Sequence, residues 1–521
     1  MEPGTGSAMA PELELRGIVK RYPGVVANDD VSLAVDKGEI RAIVGENGAG
    51  KTTLMSILYG LVQPDEGEIL LRGEPVRFSS PLDAIAAGLG MVHQSFMLFG
   101  SLSVTDNVVY GSEPTTAGFV DRSEAAQRVA RLAAEHGLRV DPKAIVASLP
   151  VGVRQRVEIL KALYRDADVL ILDEPTAVLT PQERDALFGV LRSLAAGGTT
   201  ILLITHKLHE VMSLSDNATV LRDGRVTAHL RTADTTPREI TRHMTGRDVV
   251  LTVDRTPATA SEPVLEVEDL DAVDGEGRTV VRDVSLRVGA GEIVGVAGVA
   301  GNGQTELVEA LVGLRAVARG RVALRGRDVT DAGVAQRRDA GLAYIPEDRW
   351  HVGTAPAADL EGNLAMGFQH TPEMTRGRLL RRDRMRDHAR GLIERFGIRA
   401  SSAAVRAGAL SGGNLQKVVV ARELAHDAPL LIAEQPTRGV DVGAIEFVHR
   451  QLVAYRDAGH AILLVSAELS EVMALSDRIL VMYEGRVVAD LDGADATEAG
   501  LGLLMAGAGA AAGGGAVTVG G

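Results

Sequence analysis

Eight consecutive residues, Gly45-Glu46-Asn47-Gly48-Ala49-Gly50-Lys51-Thr52, fit the spacing G-x-x-x-x-G-K-[ST], in which each fixed position serves a phosphate. The glycines let successive backbone N–H groups turn toward phosphate oxygens, Lys51 neutralises charge at the β and γ positions, and the Thr52 hydroxyl ligates a divalent cation. Thr53 follows in the first turn of a helix. Further along, Asp173 and Glu174 end the apolar run VLIL. The first suits a Mg²⁺ shell and the second can orient and deprotonate water. Alone, such a pair more often caps a helix; roughly 120 residues after a phosphate loop, the chemical reading gains. His206 closes the run ILLITH and could reach a γ-phosphate, although a lone histidine there is usually structural. Gln94, in GMVHQSF, could touch metal and water from a loop, where glutamines are commonly just exposed. Tyr22 could stack on an adenine face, or be an ordinary half-buried tyrosine.

These groups need elements to hold them at one edge. The short continuous apolar runs IRAIV, DVLILDE and TILLITH read as strands buried on both faces, as in a parallel sheet. Between them lie helical patterns, KTTLMSILYGL and RDALFGVLRSLAAGG, the second ended by glycines. Strands alternating with helices give an α/β architecture. Its ligand edge is at the carboxyl ends of the strands, where the candidates fall.

The pattern then repeats. DDVSLAVDKGEIRAIVGENGAGKTTL from Asp29 reappears as RDVSLRVGAGEIVGVAGVAGNGQTEL from Arg282, an offset of 253 that carries Lys51 onto Gln304 and Gln94 onto Glu347. Leu149 pairs with Leu410 and Asp173 with Glu434 at an offset of 261. A duplicated domain of about 240 residues accounts for most of the 521-residue, 54.8 kDa chain, as expected above the usual size of one core. The expected boundaries are a disordered start over 1–10, domains over 11–246 and 263–507, a polar linker over 247–262 and a Gly/Ala-rich disordered tail over 508–521. There is no cysteine, which removes disulfides, zinc–thiolate sites and thiol nucleophiles. A net charge of −14 disfavours nonspecific binding to nucleic acid or anionic lipid. Glu2 stands where a signal peptide carries positive charge, no apolar core follows it, and the terminal Gly/Ala run is too weakly apolar to span a bilayer.

The order Tyr22, GENGAGKT, Gln94, LPVGVRQ, ILDEPT and TH resembles the ATP-binding-cassette ATPases, and LSGGN in the second half resembles their signature loop. Closer still, LSGGN…QPTRGVDVGAIEFVH with HQSFMLF, DEPTAVLTPQE and a terminal LGLLMAG looks like the fused double-cassette subunits of bacterial nucleoside importers. Their near relatives serve ribose, galactose and other simple sugars. That sugar branch usually keeps DEPTRG where this chain has Glu434-Gln435-Pro436, which favours nucleosides. The resemblance implies an α/β fold of two tandem P-loop NTPase domains, each with a mainly parallel sheet and a helical subdomain. It implies ATP and Mg²⁺, with Thr52, Gln94 and Asp173 as metal ligands. It also implies work at the cytoplasmic face of the membrane on two permease subunits, which dock near residues 94–107 and 347–363, and indirectly with an extracellular solute-binding protein. Nucleic acid is not an expected partner. The rival class of ribosome-associated double cassettes usually keeps both catalytic sites and a long basic linker, whereas this linker holds only Arg247 and Arg255.

The family closes its cassettes head to tail, so each nucleotide meets the P-loop of one and the signature loop of the other. In the second half Gln304 replaces the P-loop lysine, Glu434-Gln435 replaces Asp-Glu, Ala467 stands at the position of His206 and Gly275 at that of Tyr22. The signature loops depart in the opposite sense. Ser411, Gly412 and Gly413 are intact in the second half, against Leu149-Pro-Val-Gly-Val153 in the first, and Asp441 is matched by Thr180. Intact groups therefore meet intact groups, which independent decay would not arrange. One composite site, with Glu174, His206 and Gln94 in catalytic roles, is expected to perform all productive hydrolysis.

Overall fold

Each run read as a buried strand is one, and the register of those strands brings the candidate residues to one edge. The computed structural model describes residues 10–93, 96–116, 118–176, 179–247, 261–299, 301–377 and 379–507. The chain divides between residues 249 and 250 into two units. Most of the expected linker, both terminal tails and Gln94 lie outside the described residues.

In the first unit a six-stranded sheet has the order Arg225–Arg231, Asn217–Arg222, Ile40–Gly45, Thr200–Thr205, Val169–Asp173, Leu89–Val92. Only the first of these runs antiparallel to its neighbour. Thr205 pairs with Val44 and Ile204 with Asp173, so Gly45, which ends its strand, and Glu174 and His206, which follow theirs, emerge together at the carboxyl edge. The strands are covered on both faces. Ile43, Ile171, Leu202 and Ile204 pack with Leu54, Met55 and Leu58 of the helix Lys51–Leu58. Their alternates Ile40, Leu170, Leu172, Ile201 and Leu203 pack with Leu187 and Leu191 of Pro181–Ala196 and Val157 and Leu160 of Val151–Leu163. This double burial explains the uninterrupted apolar runs.

A second sheet, which periodicity did not separate from the first, is antiparallel with the order Val25–Val35, Leu13–Tyr22, Glu66–Leu71, Glu74–Val76. It shares the core beneath the helix Lys51–Leu58 through Leu13, Leu15, Val31 and Leu33. The helices Val104–Val109, Arg122–Glu135 and Val151–Leu163 form the helical subdomain.

The second unit repeats the plan. Its six-stranded sheet has the order Leu342–Ile345, Leu430–Glu434, Ala461–Val465, Ile293–Ala297, Arg478–Tyr483, Arg486–Asp492, and its antiparallel sheet is built from Thr279–Gly289, Pro263–Val273, Val317–Leu324 and Arg327–Asp328. Its helical subdomain comprises Leu360–Ala365, Arg382–Arg395 and Gly412–Ala425. Among the described residues no helix is long and apolar enough to cross a membrane.

Candidate functional site

The loop that leaves Ile40–Gly45 has glycine where the backbone turns left-handed and, at one position, where a side chain would collide with a neighbouring strand. Gly48 and Gly50 sit at φ 84° and 95°, and a Cβ on Gly50 would lie 2.1 Å from the Ala27 carbonyl oxygen and 2.7 Å from Asn28 Nδ2. Asn28, fully buried on the antiparallel sheet, donates to the Gly50 carbonyl at 3.2 Å. The antiparallel sheet thus holds the loop from beneath. Gly50→Ala is expected to lose ATP binding as well as stability, because left-handed strain of about 1–2 kcal/mol adds to a backbone clash that cannot relax. Nucleotide titration and thermal melting of the full chain check it; unchanged binding would contradict this geometry.

Lys51 is buried, and its Nζ donates to the Gly45 and Glu46 carbonyls at 2.6 and 2.9 Å. Burial pushes the ammonium below its usual pKa, against the opposing charges of Glu174, Asp173 and Glu46. The loop folds around its own lysine, while Thr52 is exposed and Thr53 half-buried in the helix's first turn.

Asp173 ends its strand and Glu174 turns away at φ 46°, its N–H donating to the Ile204 carbonyl at 3.0 Å. A non-glycine residue there is uncommon, and such strain tends to mark functional turns. His206 Nδ1 lies 2.7 Å from Glu174 Oε1. Burial pushes Asp173 upward and the neighbouring Glu174 adds to it, against His93 and Lys51. Burial also acts to raise Glu174, but the hydrogen bond and charge of His206, with Lys51 and Lys207, outweigh it and hold that carboxyl below its usual range. Two adjacent carboxyls are thereby driven apart, and the ionised Glu174 can accept a proton. His206 is braced from behind: buried Glu210 accepts from Thr205 Oγ1 at 2.7 Å and from the Thr176 hydroxyl, while the Lys207 N–H donates to Thr205 Oγ1 at 3.0 Å. Tyr22 ends its strand 42% exposed, with Lys20 Nζ 5.7 Å from its ring centre, accessible to a flat base.

Sequence reasoning missed His93 and Glu210. His93 adjoins Gln94 and faces Asp173 electrostatically, and its ring meets Tyr59 edge-on at 6.1 Å. No spacing marks it as more than a loop histidine. Glu210 lies in the helix Leu208–Leu214 and reads as an ordinary surface charge.

The second unit keeps the loop shape, with Gly301 and Gly303 at φ 90° and 96°, but its polar side chains have different partners. Gln304 Nε2 donates to the Val299 carbonyl at 3.3 Å. Glu434 is 3% exposed and accepts from the Tyr344 hydroxyl at 2.6 Å, and burial raises its pKa. Gln435 repeats the turn of Glu174 at φ 47°, and its Oε1 accepts from the Ala467 N–H at 3.1 Å. An amide bonded to backbone thus replaces a carboxylate bonded to histidine.

The signature loops also differ in structure. Ser411 caps the helix Gly412–Ala425, its Oγ accepting from the Asn414 backbone and side-chain N–H groups at 3.4 and 3.0 Å. A Cβ on Gly413 would sit 2.6 Å from Asp441 Oδ2, so glycine lets the two loops touch. In the first unit Pro150 takes the capping place, and Arg154 donates to the Leu149 and Ala147 carbonyls at 2.9 and 2.7 Å.

The sequence profile of the ABC transporter family matches residues 28–177 and 281–438. The glucose import ATP-binding protein TsgD13 of Haloferax volcanii is 45% identical over 96% of this chain and 96% of its own length. The guanosine import ATP-binding protein NupO of Bacillus subtilis is 45% identical over 95% and 97%, and the ribose import ATP-binding protein RbsA 1 of Rubrobacter xylanophilus 42% over 97% and 100%. Among solved structures, the archaeal ribosome recycling factor aABCE1, crystallised with the stalk protein aP1, superposes with a TM-score of 0.60 at 19% identity, covering 91% of this chain and 90% of that one. That likeness is one of fold.

Proposed function

Since this chain belongs to the ABC transporter family, as an ATPase subunit with two tandem cassettes, we propose that it drives a nucleoside import system through one productive ATP site. That site takes the first unit's phosphate loop, Asp173, Glu174 and His206, with Gln94, and the second unit's Ser411, Gly412 and Gly413. The observation that carries the reading is the contrast between Glu174, an ionised carboxylate on His206, and Gln435, an amide on a backbone N–H.

The chemistry follows from those residues. Tyr22 stacks on the adenine, and the phosphates lie on the N–H groups from Glu46 to Thr53 with Lys51 beside the β and γ oxygens. Mg²⁺ suits hard oxygen donors and keeps several waters; the exposed Thr52 hydroxyl and the Asp173 carboxylate fit it, and when bound it neutralises charge on the phosphates. Glu174 takes a proton from water as that oxygen bonds to the γ-phosphorus. The bond to the β–γ bridging oxygen breaks, and its electron pair leaves with ADP. His206 holds Glu174 toward the water.

Closure of the cassettes is transmitted to two permease subunits at the cytoplasmic face of the membrane. Met97, Phe99 and Tyr110 offer an apolar surface there, 56%, 51% and 52% exposed, with the Phe99 and Tyr110 rings 5.1 Å apart. In the second unit Val352 and Met366 lie in and just beyond the expected docking segment, 58% and 37% exposed. An extracellular solute-binding protein acts indirectly. Guanosine and nucleoside import relatives, at 45% and 42% identity, support nucleoside cargo. Glucose and ribose import relatives at 45% and 42% favour a second reading, a simple-sugar importer.

The test is to purify the chain with the membrane proteins that accompany it and measure ATPase with guanosine, adenosine, ribose or glucose plus the binding protein. Stimulation by a nucleoside is expected. Stimulation by sugars alone would replace the cargo, and copurification with ribosomes without a membrane subunit would sink the importer reading.

A further inference from the structure

One guanidinium in the second unit joins three segments that sequence keeps far apart. Arg349 follows Glu347, the counterpart of Gln94 in the segment where a permease is proposed to dock. Its Nη1 donates to the Arg438 carbonyl at 2.5 Å and its Nη2 to the Gly439 carbonyl at 3.0 Å, both in the loop after the strand Leu430–Glu434. The same fork lies against the signature loop: a Cβ on Gly412 would be 3.1 Å from Nη2 and 3.7 Å from Cζ and Nε. Glu347 forms an ion pair with Arg438, closing a second link between the same two loops.

The backbone that carries Arg349 is itself fixed. Asp348 Oδ1 accepts from the Trp350 and His351 N–H groups, each at 2.9 Å, and its carbonyl accepts from Gly353 at 2.8 Å. Thr354 Oγ1 donates to the Arg349 carbonyl at 2.7 Å. A planar fork on a rigid turn holds two carbonyls in a fixed relative geometry while its flat face lies along Gly412, whereas an ammonium is a compact point charge on a flexible stem and fixes neither. At the offset of 253 the first unit has Phe96, and there the signature loop has lost its serine and one glycine. The fork is present in the unit whose signature loop is intact.

We propose that Arg349 is a positioning residue that locks Ser411–Gly413 to the permease-side segment, so that displacement of residues 347–353 is carried to the loop facing ATP. The inference rests on the reading that this signature loop completes the productive site. In the assembled transporter, Arg349→Ala is expected to lower kcat about 10²-fold, the scale of a 1 Å misplacement, and to leave the KM for ATP within about twofold. Melting temperature and ATP binding by the full chain should stay unchanged. Arg349→Lys should recover less than a tenth of the lost turnover.

Ser411→Ala separates the two ideas. If Ser411→Ala lowers kcat and Arg349→Ala does not, the inference is wrong while the composite site stands. If neither lowers kcat, the composite site falls and takes the role of Arg349 with it. Full recovery by lysine, or a loss of ATP binding and melting temperature in step with kcat, would reduce Arg349 to a charge or a structural brace and also overturn the proposal.

Discussion

Replacing Glu174 with glutamine is expected to lower ATP turnover of the assembled transporter by about 10²–10⁴-fold, the usual contribution of a positioned general base, while ATP binding persists. The chain supplies its own structural control. Gln435 occupies the matching turn at φ 47° against 46° for Glu174, so an amide is compatible with that backbone and the loss would be chemical. His206 matters because burial alone would favour the neutral acid, and its contact at 2.7 Å keeps the carboxyl ionised. Gln435→Ala should leave turnover within about twofold, since an amide bonded to Ala467 N–H has no proton-accepting role to lose. Phosphate release by both variants decides the matter. Abolished turnover in Gln435→Ala with normal turnover in Glu174→Gln would reverse the assignment of the two sites.

How much of this site was legible in the sequence depended on whether a residue's role follows from local spacing. The phosphate loop was readable because its residue types recur at a fixed local spacing and Gly48 and Gly50 answer to positive φ, although the Ala27 carbonyl that also demands glycine at 50 lies far off in sequence. The flanking strand and helix fall where the apolar runs put them. Asp173, Glu174 and His206 were readable as strand ends, since the parallel register of Thr200–Thr205 with its neighbours leaves them no other edge. The antiparallel sheet was not separable: Leu13–Tyr22 and Val25–Val35 carry bulges that break strict alternation, the signal a half-buried strand should give. Tyr344, His93 and Arg349 escaped for another reason. Each acts across long sequence separations, Tyr344 on Glu434 and Arg349 on Gly439, and no periodicity encodes a partner some 90 residues away.

The lysine of the phosphate loop gives the second large effect, this time on affinity. An ammonium about 4 Å from a phosphate charge is worth roughly 4 kcal/mol at an effective dielectric near 20, or about a thousandfold in Kd if nothing compensates. Lys51 begins from two carbonyl hydrogen bonds, to Gly45 and Glu46, and nucleotide binding must replace or share them, so the measured loss should fall at or below that figure. Lys51→Ala is therefore expected to weaken ATP binding at the first site by about 10²–10³-fold. Gln304→Ala should change Kd by less than about threefold, because Gln304 is neutral and bonded to the Val299 carbonyl. Calorimetric titration of the full chain with ATP and Mg²⁺ reads both. Equal losses from the two substitutions would mean that the second loop also holds its nucleotide through residue 304. In that case the sorting of intact with intact groups would no longer distinguish a strong site from a weak one.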